Sequence, residues 1–337
     1  MRVISLFSGA GGMDLGFSQA GHELIWANDL WDDAVKTYRL NLGMRIICAD
    51  IANVDASAIP DGDIVVGGFP CQGFSVANTK RSAGDVRNFM YLEFRRIVKA
   101  KRPRFFVAEN VKGILSLEGG RAFEQILSDF AEIGYSVNHA VLNAADYGVP
   151  QRRERVLFVG RREDEPTKVD FPPAKTHAPE EIFRLAGLHK WVSIGEALKD
   201  VPSPDGPHEL QNHHYTKYKL RFNGYLGHRR INPDQPSPTI TARGDDRGGV
   251  VIHHHPSNER RLSARETALL QSFPLDYKFY GTKTSIYRQV ANAVPPLLAR
   301  RLAEIFPAKS LEAVTEGLEV AAHHCYTPAH DSAAKAI

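Results

Sequence analysis

Cysteine is scarce in this chain: three in 337 residues, at positions 48, 71 and 325. So sparse and odd a set argues against a disulfide framework and fits a reducing compartment. There is no CxxC pair, which speaks against a zinc ribbon. Long apolar runs are missing too; none approaches the ~20 residues that span a bilayer. The opening "MRVISLFSGAGG" turns into glycines too early for the apolar core of a signal peptide. The expectation is a cytoplasmic protein with no membrane contact. Excess charge is also lacking. A net +3 does not by itself announce a polyanionic partner. What is present is an ordinary hydrophobic content of 43%, enough for a real core. The length suits two domains, or one with a large insertion.

Hydrophobic periodicity divides the chain. Over the first 160 residues, strand-like runs alternate with amphipathic helical ones. Strands are expected at 2–7, 24–28, 46–48, 64–66, 104–108, 136–142 and 156–160, and helices at 15–20, 32–41, 90–100 and 121–133. Such alternation predicts a parallel sheet covered on both faces. The pattern fails between about 165 and 257, where Pro, His and Gly accumulate; this stretch reads as a separate, irregular lobe. Order returns at "SARE" (263–266), a capping box that opens a helix. "ANAVPPLLARRLAEIF" then places prolines at the start of a last amphipathic helix. The expected division is 1–167, an insert at 168–257, a return at 258–308 and a loose tail at 309–337.

Charge is unevenly spread. Residues 211–230, "QNHHYTKYKLRFNGYLGHRR", carry five Lys or Arg and no acid, interleaved with Tyr215, Tyr218, Phe222 and Tyr225. That mixture suits phosphate contact and base stacking, and equally a solvated loop. The histidines at 253–255 read as solvent-facing, with no partner pattern for a metal.

Chemistry gathers at predicted strand ends. "LFSGAGGMDLGF" (6–17) follows the first strand and opens the first helix, where glycines let backbone approach a ligand. The third glycine of a dinucleotide loop is replaced by Asp14, and a P-loop G-K-[ST] is absent. Asp29 ends the second strand, where an acid can bind ribose hydroxyls, and Asp50 ends the third. An adenosine without phosphates, as in S-adenosylmethionine, fits this set; a structural turn with incidental acids is the alternative. In "GGFPCQGFS" (67–75), Cys71 sits past a strand, behind a proline and between glycines. It is either a small core residue or a nucleophile. Glu109 lies at the next strand's end, and Arg153 and Arg155 could reach the same edge.

Taken together these segments resemble the DNA cytosine-5 methyltransferases. Eight motifs stand in the family's order: "LFSGAGGMDLGF", "AND", "ADI", "GGFPCQGFS", "AENV", "QRRERVLFVG", "RRLSARETALLQSFP" and "YRQVANAVPP". The resemblance implies an α/β, doubly wound methyltransferase sheet with an inserted, smaller target-recognition domain. It implies that Cys71 adds to C6 of a flipped-out cytosine in duplex DNA. Glu109 would hold N3 and the exocyclic amine, Arg155 the O2 edge, and Arg153 the catalytic loop or a phosphate. S-adenosylmethionine would meet Phe7, Ala10, Gly12, Asp29, Leu30, Asp50, Ile51, Asn292 and Val294. The polar segment after Cys71, including Ser75, would close over DNA. Arg229, Arg230 and Arg243 would reach it from the insert.

Three residues depart from the family pattern. Asp29 replaces a Glu, with shorter reach. Ala291 replaces a Gly, predicting a tighter turn. Phe69 replaces a proline. A bacterial restriction-modification enzyme is implied, monomeric, with a cognate nuclease acting separately. A tRNA-modifying relative would carry a Cys-Phe-Thr motif, which is absent. A non-catalytic DNA-binding homologue would be expected to lose Cys71 or Glu109. A nicotinamide oxidoreductase is disfavoured by Asp14.

Overall fold

The computed structural model describes residues 1–69, 89–217, 219–224, 227–242 and 251–307. Cys71, Ser75, Arg243 and the tail from 308 onward lie outside the described residues.

In chain order the elements are β1 (Arg2–Leu6), α1 (Gly12–Gln19), β2 (Glu23–Asp29), α2 (Asp32–Leu42), β3 (Ile46–Cys48), β4 (Ile64–Gly67), α3 (Phe89–Lys101), β5 (Phe105–Val111), α4 (Arg121–Ala131), β6 (Tyr135–Asn143) and β7 (Glu154–Arg162). Then come β8 (His177–Ala178), β9 (His189–Lys190), α5 (Ile194–Leu198), α6 (Ala264–Leu270), α7 (Lys283–Asn292) and α8 (Pro296–Ala303). The first seven strands form one sheet in the order β3-β2-β1-β4-β5-β7-β6. Strand order reverses at β1/β4. In an open α/β sheet that reversal opens a crevice at the carboxyl ends of the strands.

Alternation along each strand sorts its side chains onto two faces. Val3, Val66, Phe105, Val107, Leu157 and Val159 fall in one buried cluster with Phe17 of α1 and Leu298 and Leu302 of α8. Ile4, Leu6, Val65, Phe106, Val156 and Phe158 fall in the other, with Phe94 and Ile97 of α3 and Ile126 and Phe130 of α4. Each large side chain buried this way contributes roughly 2 kcal/mol. Glycine lets α1 approach α8: a Cβ on Gly16 would lie 2.5 Å from that of Ala299.

The sheet is not wholly parallel, as the alternation had predicted. β1 to β5 run parallel, but β7 is antiparallel to both β5 and β6. The cause is the link between β6 and β7, residues 144–153. It is shorter than the dozen or more residues a parallel crossover needs. β5 also continues to Val111 and β7 begins at Glu154, so Glu109, Asn110 and Arg155 are paired within the sheet, not beyond it.

The capping box is present: Ser263 accepts from the Glu266 backbone N–H while the Glu266 carboxylate accepts from that of Ser263. Pro296 opens α8 as its first residue. Among the described residues of 168–257 the regular structure is limited to β8, β9 and α5. Its apolar side chains share a core with the helices that follow. Ile194, Leu198, Ile231 and Ile240 cluster with Leu262, Leu270 and Ala291.

The histidine run departs from its expected exposure. His253 and His254 are buried, at 3% and 0% exposed. His253 Nε2 meets the Thr239 carbonyl, and His254 packs edge-on against Phe222. Ala291 forms no tight turn. It sits inside α7, buried, with no positive φ.

Candidate active site

The glycine loop is bent by left-handed backbone. Phe7, Gly9 and Gly11 have φ of 54, 54 and 84°. A non-glycine residue in that region, as Phe7 is, marks a conformation imposed by its surroundings. The loop is tied to β2 through Asp29. Its Oδ2 accepts from the Gly9 N–H at 2.7 Å and its Oδ1 from the Trp31 N–H at 2.8 Å. Burial raises the Asp29 carboxyl above its ordinary range, and those amide donors oppose the shift. The shorter side chain, Asp in place of Glu, thus spends its reach on the backbone. Around Gly9 a Cβ would meet nothing within 4 Å, so the loop faces open space there. Gly12 serves a different need: a Cβ would lie 2.3 Å from the Val294 carbonyl oxygen, so glycine lets the first helix meet the closing segment. The Ala10 carbonyl accepts from the Tyr277 hydroxyl at 2.6 Å.

Asp14 had appeared only as a missing glycine. It is fully buried, accepting from Ser5 Oγ at 2.8 Å and the Tyr38 hydroxyl at 2.9 Å. Burial pushes its carboxyl up to about 6. Asp50 caps the short turn Ile51–Asn53 through its own Oδ1. Leu30 is 69% exposed, a large apolar side chain left facing outward.

These residues line one cavity of about 890 Å³. It runs from Phe7, Asp29, Leu30 and Asp50, past Asn292 and Val294, to Glu109, Arg153 and Arg155. The only cations among its described lining residues are Arg153 and Arg155. Both lie on β7 or just before it. The β1–β3 side offers carboxylates and apolar faces without a phosphate-binding cation. That composition fits the nucleoside and sulfonium of S-adenosylmethionine and disfavours a polyphosphate.

On the β5–β7 side, Glu109 is 9% exposed and its Oε1 lies 2.9 Å from Arg155 Nε. Register explains the pair: Val111 of β5 faces Arg155 and Glu109 faces Leu157, so the two are diagonal neighbours on one face. A Cβ on Gly68 would come within 3.0 Å of Glu109 Oε2, so glycine there, three residues before Cys71, leaves the carboxylate uncrowded. Asn110, which sequence reasoning passed over, donates from Nδ2 to the Phe69 carbonyl at 3.0 Å. It holds the end of β5 to the chain leading toward Cys71. Phe69 itself is buried against Tyr91 and Phe94.

Arg153 does not face a phosphate. It is 2% exposed, and its guanidinium donates to the carbonyls of Ile240 (3.0 Å), Ala291 (2.9 Å) and Ala293 (3.2 Å). Burial, with Arg155 close by, pulls its pKa down to about 9. It braces the strand start against the insert and the closing helix. Arg229 and Arg230 are exposed and do not line the cavity.

A family model for C-5 cytosine-specific DNA methylase matches residues 1–306. Among similar proteins is the Type II methyltransferase M.NgoFVII of Neisseria gonorrhoeae, 40% identical over 333 residues, covering 90% of this chain and 87% of that one. The Type II methyltransferase M.MthTI of Methanothermobacter thermautotrophicus is 37% identical, covering 93% and 99%. The solved S. pombe Dnmt2 methyltransferase shares the fold, with a TM-score of 0.67 at 21% identity over 90% of this chain and 97% of that one. The chain therefore belongs to the C-5 cytosine-specific DNA methylases, enzymes that carry a methyl group from S-adenosylmethionine to carbon 5 of cytosine in DNA.

Proposed function

We propose that Cys71 is the nucleophile and that Glu109 and Arg155 together grip the cytosine it attacks. The observation that carries this reading is the Glu109–Arg155 pair at 2.9 Å, on the cavity wall beside Gly68. Carbon 5 of cytosine is a poor nucleophile. The Cys71 thiolate adds to C6 and makes the ring enamine-like at C5. Glu109 accepts from the exocyclic amine and shares a proton with N3, stabilising charge as C6 is attacked. Arg155 donates to O2. Bound S-adenosylmethionine supplies the methyl group as an electrophile whose sulfonium leaves as a neutral thioether. Loss of the C5 proton to a base then restores the ring and releases Cys71. The target cytosine is out of reach in a stacked duplex, so it is flipped into the cavity.

Arg153 acts as a positioning residue for this wall. Phe7 and Leu30 cover the adenine, Asp50 with Ile51 holds its edge, and Asp29 faces the ribose. Ala10, Gly12, Asn292 and Val294 close around the remainder. Residues 168–257 read the DNA sequence through the major groove, with Arg229, Arg230 and Arg243 as contacts and Ser75 on the closing segment. The Type II names of its relatives support a place in restriction-modification; the reading takes the enzyme as a monomer of the cytoplasm that protects DNA from a separate cognate nuclease.

The test is incubation with methyl-labelled S-adenosylmethionine and either mixed-sequence duplex DNA or total tRNA, with Cys71→Ser alongside. Label in duplex DNA at cytosine C5, lost in the variant, is expected. Label retained by the variant overturns the nucleophile; label in tRNA alone overturns the substrate.

A further inference from the structure

Two adjacent arginines of the insert are held quite differently. Arg229 Nε donates to the Gly224 carbonyl at 3.1 Å, and His228 Nδ1 meets Asn223 Oδ1 at 2.9 Å. These cross-links fasten 223–224 against 228–229 and set Phe222 beside Arg230. The Arg230 guanidinium carbon lies 4.4 Å from the Phe222 ring centroid. Arg230 is exposed, and among the described residues its guanidinium has the Phe222 ring as neighbour and no hydrogen-bond or ion-pair partner. Phe222 is 42% exposed, yet its ring is not loose, because His254 packs against it at 4.6 Å and 63°. His254 is fully buried, and burial lowers its pKa, so a neutral ring backs the stack.

A guanidinium laid on an aromatic face keeps its in-plane N–H groups free and loses much of its freedom to turn. A phosphate accepts from many directions and gains little from that constraint. Guanine gains a great deal. Its O6 and N7 lie in one plane, at the spacing of the arginine fork, on the major-groove edge. We infer that Phe222 is a specificity-determining positioning residue: it holds the Arg230 guanidinium over its ring so that the fork meets a guanine edge in the major groove. This rests on the assignment of 168–257 to DNA reading.

The wild-type enzyme is first used to map its methylated sequence. Relative kcat/KM is then measured on duplexes altered one base pair at a time, for Arg230→Ala, Phe222→Ala, Phe222→Leu and Phe222→Tyr. Arg230→Ala is expected to lose about 10-fold or more of the discrimination at one G·C pair. Phe222→Ala and Phe222→Leu are expected to lose about 2–5-fold at that same pair, while Phe222→Tyr keeps it. The leucine still packs on His254, so its effect separates the aromatic face from simple folding. If Arg230→Ala relaxes one pair and Phe222→Leu relaxes none, or a different one, the platform is overturned and DNA reading by the insert stands. If Arg230→Ala weakens every sequence alike, with the salt slope reduced by about one, the contact is to phosphate and the inference fails at its root.

Discussion

The sheet body and the stretch 168–257 hold their polar groups in opposite ways. In the body, polar side chains that line the cavity are committed to fixed partners: Asp29 to two backbone amides, Glu109 to Arg155, Arg153 to three carbonyls. In the insert, Arg230 rests over the Phe222 ring, and among the described residues its guanidinium has no hydrogen-bond partner. Chemistry on one base type needs the same geometry every time, so its groups are preorganised by strand register. Reading a sequence needs donors still unspent when DNA arrives. On the function proposed above, the body acts on whatever cytosine is delivered, and the insert chooses which one that is.

The largest effect that would break this division lies at Glu109. Glu109→Gln should lower kcat about 10²–10⁴-fold on every sequence, leaving cofactor binding by calorimetry and the ranking of DNA sequences unchanged. A change in ranking would mean that the body also chooses.

A smaller effect concerns stability alone. The Asp14 carboxyl is raised from 3.8 to about 6, so the unfolded chain releases this proton before the folded one does. Its favourable contribution is complete below about pH 4 and is lost as pH rises through 6, a swing of about 3 kcal/mol. Asp14→Asn carries no such proton. Urea unfolding should show the variant gaining up to about 3 kcal/mol relative to wild type between pH 4 and 7, with the methylated sequence unaltered. A flat difference across that range would remove the buried carboxyl from the account.

The smallest effect is at Arg229, whose Nε already serves the Gly224 carbonyl. Arg229→Ala should cost no more than about 1 kcal/mol of stability and relax sequence choice less than Arg230→Ala, measured on the same duplex set. The reverse ranking would exchange the roles of clip and reader.

How much of this could be read in advance followed the same division. Strand-end chemistry in the body is local. A buried run, a glycine turn and an acid at the strand end place Asp29, Asp50 and Glu109 within a residue or two. The reversal of β7 was implicit in the short link at 144–153 but masked by the helix-strand alternation before it. Asp14 looked like a defect in a glycine pattern, because its partners Ser5 and Tyr38 come from two other elements. Arg153 draws its acceptors from residues about 90 and 140 positions away, and His253 and His254 are covered by Thr239 and Phe222. No local pattern encodes such contacts. Loop chemistry is settled by what the rest of the chain brings to it.

Two points of the insert, 61 positions apart, are fastened beside one short stretch of the sheet body. The Thr176 N–H donates to the Asp146 carbonyl and the Ser237 N–H to that of Pro150, with the Arg152 N–H donating to the Ser237 carbonyl. The excursion between two anchors that stand side by side can lengthen or shorten without rerouting a strand of the main sheet. The entropic toll of a longer excursion rises only with the logarithm of its length. On the proposed reading, the address can be rewritten between these two anchors while the strands that carry the pen stay where they are.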